Sequence, residues 1–308
     1  MQAQAQAIAP APVARRSGFR RTLRKLGVKG VTAEVVKYVI LLLLAAIFVL
    51  PFFWMFTTAL KDDAQVYTVP PIWIPSPAHW ENFWNAWHVR PFTTFSINTI
   101  FQYAIPITLA TVFSSAFVAY GFSRIKWPGR DVLFLICIMT MMVPFFVLMV
   151  PRFIIFKNMG WINSYRPLVV PEMFGNAFFI FMLRQFYMTI PEELSDAARI
   201  DGCSEFGILG RIILPLARSA LTVVALFTFI NAWNDYLGPL IYINKVSLMP
   251  ISLGLQELQR SVMQTGWNPM VYPHLMAASS IITVPIVIFF FFAQRTFIEG
   301  IALTGLKA

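Results

Sequence analysis

Three histidines, two cysteines and fourteen carboxylates are the side chains in this 308-residue sequence that could ligate a metal, attack a bond or move a proton. Their spacing supports none of these chemistries. His79, His88 and His274 fall into no His-Glu-x-x-His or other ligand pattern, and Cys137 and Cys203 have no metal-ligand neighbours. No Gly-x-Ser-x-Gly elbow and no Gly-x-x-x-x-Gly-Lys-Ser/Thr loop occurs, so the sequence predicts neither an acyl-transfer nucleophile nor a P-loop nucleotide site. No catalytic residue and no metal are expected. What stands out is a set of polar residues within apolar runs: Asn98, Gln102 and Tyr103; Thr108, Thr111 and Ser115; Asn231, Asn234 and Asp235; Ser279, Ser280 and Thr283. Uncompensated polar groups are costly in lipid, so such residues face other helices or an aqueous path. Helix–helix hydrogen bonding accounts for most of the Ser and Thr. Asn98, Gln102, Ser115, Asn231, Asn234 and Ser279 are the candidates for lining a path.

The elements that carry these residues follow from composition. The chain is 58% hydrophobic and 12% charged, with 30 Phe, and its mean hydropathy is +0.67. Soluble domains run at about 45–50% apolar and about 25% charged, so an all-α polytopic membrane protein is expected. The net charge of +10 does not indicate nucleic acid here, because basic residues in so apolar a chain set membrane orientation. Charge-poor windows long enough for a bilayer place helices at Tyr38–Leu60, within Pro91–Ser123, at Val132–Pro151, at 167–186, from about Leu216 to Ile243, and at Leu275–Ala293. The second window is longer than a span, so its start reads as an approach from outside. The fourth is the weakest, with Glu172 near one end and Arg184 near the other. Glu172 and Asp235 both read as lying toward the outer edge.

Lys and Arg concentrate in the N-terminal cluster and around Arg124–Arg130, Arg184–Arg218 and Arg295–Lys307. By the positive-inside rule both termini are cytoplasmic, and 185–215 is the longest inner loop. Residues 1–34 read as a basic, disordered cytoplasmic tail with affinity for anionic lipid, and 35–308 as the transmembrane domain. The outer stretch 61–92, rich in Pro and Trp, reads as an irregular segment followed by an interfacial amphipathic helix.

The inner loop contains Asp196-Ala-Ala-Arg-Ile-Asp-Gly-Cys-Ser-Glu-Phe-Gly-Ile-Leu-Gly-Arg-Ile-Ile-Leu-Pro215. Pro191-Glu192-Glu193 suits a helix start, the carboxylates favouring the positive end of its dipole. Leu194, Ala197, Ala198 and Asp201 then share one helical face, flattened by its alanines. Gly202 should end the helix and Ser204 should cap a second, with Phe206, Leu209, Ile212 and Ile213 on its apolar side. Pro215 should open the fifth span. Spacing alone is equally compatible with an amphipathic helix resting on lipid.

Asp196-Ala197-Ala198, three residues, Gly202, nine residues, then Ile212-x-Leu214-Pro215 resembles the EAA loop of ABC importer permeases, with Asp in place of the usual Glu. Ser96–Ile100, Phe227–Ile243 and Ala293–Ala308 resemble carbohydrate-uptake permeases, in particular the six-helix membrane subunit of maltose-type importers. That resemblance implies a type I ABC permease fold in a bacterial inner membrane. The implied partners are a second, homologous permease subunit, an ATPase homodimer that holds ATP and Mg, an extracytoplasmic solute-binding protein, and a sugar substrate. It also implies that Asp196, Ala197, Ala198, Asp201, Gly202, Phe206, Leu214 and Pro215 dock on the ATPase, and that Phe297–Ala308 inserts between the ATPase subunits. Two other classes remain open at this point: an ion-coupled secondary transporter, which should carry a relay of intramembrane carboxylates, and a membrane scaffold protein.

Overall fold

The structure, a computed structural model, describes residues 19–264 and 271–305, and they are helical with no strand among them. Its contacts form two units, 1–54 and 55–308. The described part of the first is a helix that begins at Phe19 and belongs to the 41-residue run Phe19–Ala59. Residues 19–34, expected in the basic tail, are therefore helical; residues 1–18 and the side chains of Phe297–Ala308 lie outside the described residues.

Among the described residues, four helices are long and apolar enough to cross a membrane: Thr32–Ala59, Phe92–Ser123, Arg166–Thr189 and Tyr272–Phe291. Two bent pairs pass the same test when each counts as one span: Arg130–Thr140 with Phe145–Asn158, meeting at 96°, and Glu205–Leu216 with Arg218–Asn234, meeting at 79°. Contacts tie the ends of these helices to their neighbours. At one end Arg124 donates to the carbonyl of Ile190 (2.5 Å) and Tyr120 to Glu205 (2.5 Å). Near this end Phe134, early in the first pair, stacks on Phe181. At the opposite end Asn163 N–H donates to the Tyr242 carbonyl (2.8 Å) and Tyr165 Oη to that of Leu248 (2.8 Å). There Phe153 and Phe156, late in the same pair, meet Tyr242. The described residues thus hold four to six candidate spans, six if each bent pair counts as one.

Several boundaries differ from the expectation, each for a local reason. The start of the second window is helical from Phe92 onward, with Phe92 0% and Phe95 1% exposed. The third window is not straight: it breaks before Pro144, which cannot continue a helix ladder. The fourth, weakest by composition, is present but interrupted at Val170–Asn176. The fifth does not open at Pro215. Pro215 belongs to the arm Glu205–Leu216, and the chain turns at Ala217 before Arg218–Asn234 begins. Nor does it reach Ile243, because Asp235 ends the helix and a separate one, Leu237–Tyr242, follows.

Spans two, four and five pack around small and aromatic residues. Ala116, Ala119, Tyr120, Phe179, Leu183, Tyr187, Ala217 and Val224 form one buried cluster. Alanines on the facing helix let the backbones approach closely, the usual device for helix association in lipid. The same cluster includes Ala198, Ile208, Leu209 and Ile213, so the connecting loop is part of the core and not an appendage to it.

Candidate functional site

The loop between spans four and five is two helices at a corner. Glu193–Ile200 ends on Asp201, and Gly202 takes φ +80°, left-handed backbone that costs an L side chain about 1–2 kcal/mol. Gly202 N–H donates to the Arg199 carbonyl (3.0 Å) and Cys203 N–H to that of Ala198 (2.9 Å), the paired bonds of a Schellman stop. Ser204 Oγ then accepts from Gly207 N–H (3.2 Å) and caps the second helix. Both expectations drawn from single residues hold.

The faces are sorted differently from the expectation. Ser195 (0% exposed) and Ala198 (7%) turn inward, whereas Leu194 (44%) and Ala197 face outward. Ala198 therefore does not share an open face with Ala197. In the second helix Leu209 and Ile213 are buried, joined by Ile208, whereas Phe206, read on the same apolar side, stands outside at 78%. Leu209–Ile213 is a π-helical turn, which adds a residue to the repeat and moves the inner stripe. Leu214 is half-buried and Pro215 exposed. The outward surface therefore comprises Leu194, Ala197, Ile200 (88% exposed), Asp201, Gly202 and Phe206. A Cβ on Gly202 would meet no atom within 4 Å.

Polar contacts fix this corner to the bundle. Glu205 accepts from Tyr120 Oη of span two (2.5 Å) and from Arg199 Nε (2.8 Å), and Arg199 also pairs with Asp196 (2.7 Å). The Arg199 hydrogen bond, then that of Tyr120, hold the Glu205 carboxyl below the usual carboxylate range. The same pairing raises Arg199. Arg124, 6% exposed, donates from Nη2 to the carbonyls of both Tyr187 and Ile190 and caps the end of span four; burial lowers its pKa. Glu205 lies inside the quoted motif, but Tyr120 and Arg124 sit in and just past the last turn of an apolar span, where sequence offers no signal for them.

The path candidates do not converge. Asn98, 2% exposed, donates to the carbonyls of Ser247 (2.9 Å) and Met249 (3.0 Å), and Gln102 donates to Asn98 Oδ1 (2.8 Å). Ser115 is fully buried and accepts from Asn176 N–H (3.2 Å). Ser279 bonds the Leu275 carbonyl one turn back. Asn231 and Asn234 are exposed on the face of span five that also carries Phe227. Asp235 accepts from Tyr103 Oη (2.5 Å) and, through Oδ1, from Gly238 N–H (3.0 Å), so it holds the break after span five against span two. No group of three His, Cys, Asp or Glu suited to a metal occurs among the described residues.

A helical chain with four to six candidate spans and a preformed, partly apolar corner at one end of its bundle has the build of a polytopic membrane subunit. Residues 112–302 match the family described as the binding-protein-dependent transport system inner membrane component. The chain belongs to that family and is a multi-pass inner-membrane protein. It is 32% identical over 259 residues to the probable ABC transporter permease protein YurM of Bacillus subtilis, covering 83% of each chain. It is 32% identical to the sn-glycerol-3-phosphate transport system permease UgpE of Yersinia pestis, over 85% of this chain and 94% of that one. The arabinooligosaccharides transport permease AraQ of Halalkalibacterium halodurans is 35% identical over 68% of this chain and 72% of its own length. In fold, the chain resembles a bacterial ABC transporter involved in the import of alginate, with TM-score 0.72, 22% identity, and coverage of 92% of this chain and 99% of that one.

Proposed function

We propose that this chain is the permease subunit of an ATP-binding-cassette importer that moves a sugar or oligosaccharide inward by alternating access. It works beside a second, homologous permease, a cytoplasmic ATPase homodimer that binds and hydrolyses ATP with Mg, and an extracytoplasmic solute-binding protein. Both termini and the corner 193–217 face the cytoplasm. The observation that carries this reading is the outward surface of that corner. It leaves Ala197, Ile200, Gly202 and Phe206 uncovered while its inner side is locked into the bundle. A surface preformed on a rigid support suits docking without an ordering cost. The carbohydrate reading rests on the likeness to AraQ and UgpE.

The ion-coupled alternative needs comment, because Glu172 does not lie at the outer edge. It packs against Thr111 and Ser114, well inside span two. Glu172 and Asp235 bond separate partners, Thr111 and Asn176 for the first and Tyr103 and Gly238 for the second, with no carboxylate relay between them among the described residues, and family membership favours the importer.

The test co-expresses the chain with its neighbouring ATPase and permease genes. Ala197→Trp and Gly202→Asn alter the outward surface, and Asn tolerates the left-handed backbone that Gly202 adopts. Loss of ATPase co-purification and of uptake, with the permease still folded, is the expected result. Undiminished association in both variants would overturn the docking assignment.

A further inference from the structure

Span four is broken in the middle of the bundle, and the break is built into the packing. Val170–Phe174 is a 3-10 turn, Gly175 follows at φ +100°, and Asn176 caps the helix Ala177–Thr189 by accepting from Phe178 N–H (3.2 Å). Backbone groups released by a break must be satisfied from within the protein when water is excluded. Span two does this: Ser114 Oγ donates to the Glu172 carbonyl (2.6 Å), and Ser115 Oγ accepts from Asn176 N–H (3.2 Å).

The Glu172 side chain has no such explanation. Its Oε2 accepts from Asn176 Nδ2 (3.3 Å) and Thr111 Oγ1 (3.4 Å), both at the long end of hydrogen bonding. Its Oε1 has no partner, and no Lys, Arg or His pairs with it, among the described residues. The residue is half-buried, so the carboxylate is neither enclosed in a satisfied core nor neutralised by an ion pair. Facing hydrocarbon, such a group is expensive. Ionisable residues at this depth face a bundle interior or a water-filled cavity, and interrupted helices near mid-membrane are where transporters form solute sites. Beside the carboxylate on the chain, Phe174 presents its ring at 80% exposure. An acceptor next to an aromatic face suits a ligand with hydroxyl donors and an apolar C–H surface.

We propose that Glu172 lines the aqueous translocation path and accepts hydrogen bonds from the hydroxyl groups of the passing solute, with Phe174 offering a stacking face at the same break. This rests on the importer reading above and gives it a contact point within the membrane.

The experiment uses the assembled importer in proteoliposomes, with Cys137→Ser and Cys203→Ser as background. Glu172→Cys is compared with Leu135→Cys, which replaces an exposed apolar side chain of span three. A membrane-impermeant, charged methanethiosulfonate is the probe, applied without nucleotide and with ATP plus vanadate. The expected result is modification at position 172 about tenfold faster than at 135, at a rate that differs between the two nucleotide states. Arabinose, glucose, maltose and raffinose are then added singly, together with the solute-binding protein. Slowing of modification by at least one marks the hydroxyl contact. Equal rates at 172 and 135 would show a dry packing contact and overturn the path assignment; full-rate modification with every sugar would overturn the ligand class. ATP hydrolysis by the same vesicles is read separately. Its absence in the Cys137→Ser, Cys203→Ser background would count against the importer reading, while reactivity at 172 would still decide whether the residue meets water.

Discussion

Replacing Glu205 by Ala should loosen the corner 193–217 without unfolding the bundle, and the structure sets the size of the effect. Glu205 accepts from Tyr120 (2.5 Å) and Arg199 (2.8 Å). The Arg199 pair is partly solvated, with side chains 33% and 41% exposed, so it is worth no more than a surface ion pair, about 0.5 kcal/mol. Tyr120 is 4% exposed, so its hydroxyl, left without an acceptor, costs about 1–3 kcal/mol. The sum, about 2 kcal/mol, corresponds to a roughly 30-fold rise in the detached population of the loop. Amide hydrogen exchange of the purified chain in nanodiscs reads this directly: exchange at 193–216 should accelerate by about that factor, while 218–234 stays protected. Tyr120→Phe, which removes the donor without orphaning it, should give about fivefold. The double variant should be less than additive, because both changes remove one bond. The sign with pH follows from the depressed Glu205 pKa: its contribution is present above the ordinary carboxylate value of about 4.3 and is lost as pH falls through the lower folded value. The difference between wild type and Glu205→Ala should therefore shrink in that acid range. Protection unchanged within twofold at neutral pH, or loss spread evenly over the spans, would refute the reasoning.

Arg124→Met should release the end of span four by removing two carbonyl bonds from a buried guanidinium. We expect about 2–3 kcal/mol, seen as a lower melting temperature in detergent, and Arg124→Lys should recover part of it, since one nitrogen, Nη2, serves both carbonyls. Gly254→Ala would bring a methyl to 2.5 Å from Phe95 Cε2, on a ring only 1% exposed, so destabilisation of about 1–3 kcal/mol should appear in the same thermal assay. Gly202→Ala should cost about 1 kcal/mol from backbone strain alone, since open space surrounds the position. Gly202→Asn should cost less, a ranking that the same hydrogen-exchange measurement can check.

What the sequence makes legible is local chemistry. Gly202 and Ser204 stop and restart a helix by rules that need only their neighbours, and the structure shows both devices. Six candidate spans, counting each bent pair as one, follow from apolar length, including the weak fourth. Facing is harder to read. Ala197 and Ala198 are adjacent on one helix and so point about 100° apart, one outward and one buried; Phe206 falls off the stripe of Leu209 and Ile213 because the π-turn at Leu209–Ile213 departs from the 3.6-residue repeat. Depth fails for a similar reason: Glu172 is near the end of its own apolar window, yet the tertiary fold sets it beside Thr111 in the interior of span two. Asp235 meets Tyr103, 132 positions away, a pairing no window of sequence contains.

The anchorage of Asn98 and Thr99 bears on how the protein is made. Their partners are the carbonyls of Ser247 and Met249 and the N–H of Ile251, separated from them by 149, 151 and 152 positions. At about 5–20 residues per second of elongation, these polar side chains leave the ribosome on the order of 10–30 s before those groups exist. Span two must therefore wait, its amide satisfied by water or by the insertion machinery, and the bundle closes at that end after most of the chain has been synthesised. Truncations that stop before residue 247 should be retained by the insertase and degraded.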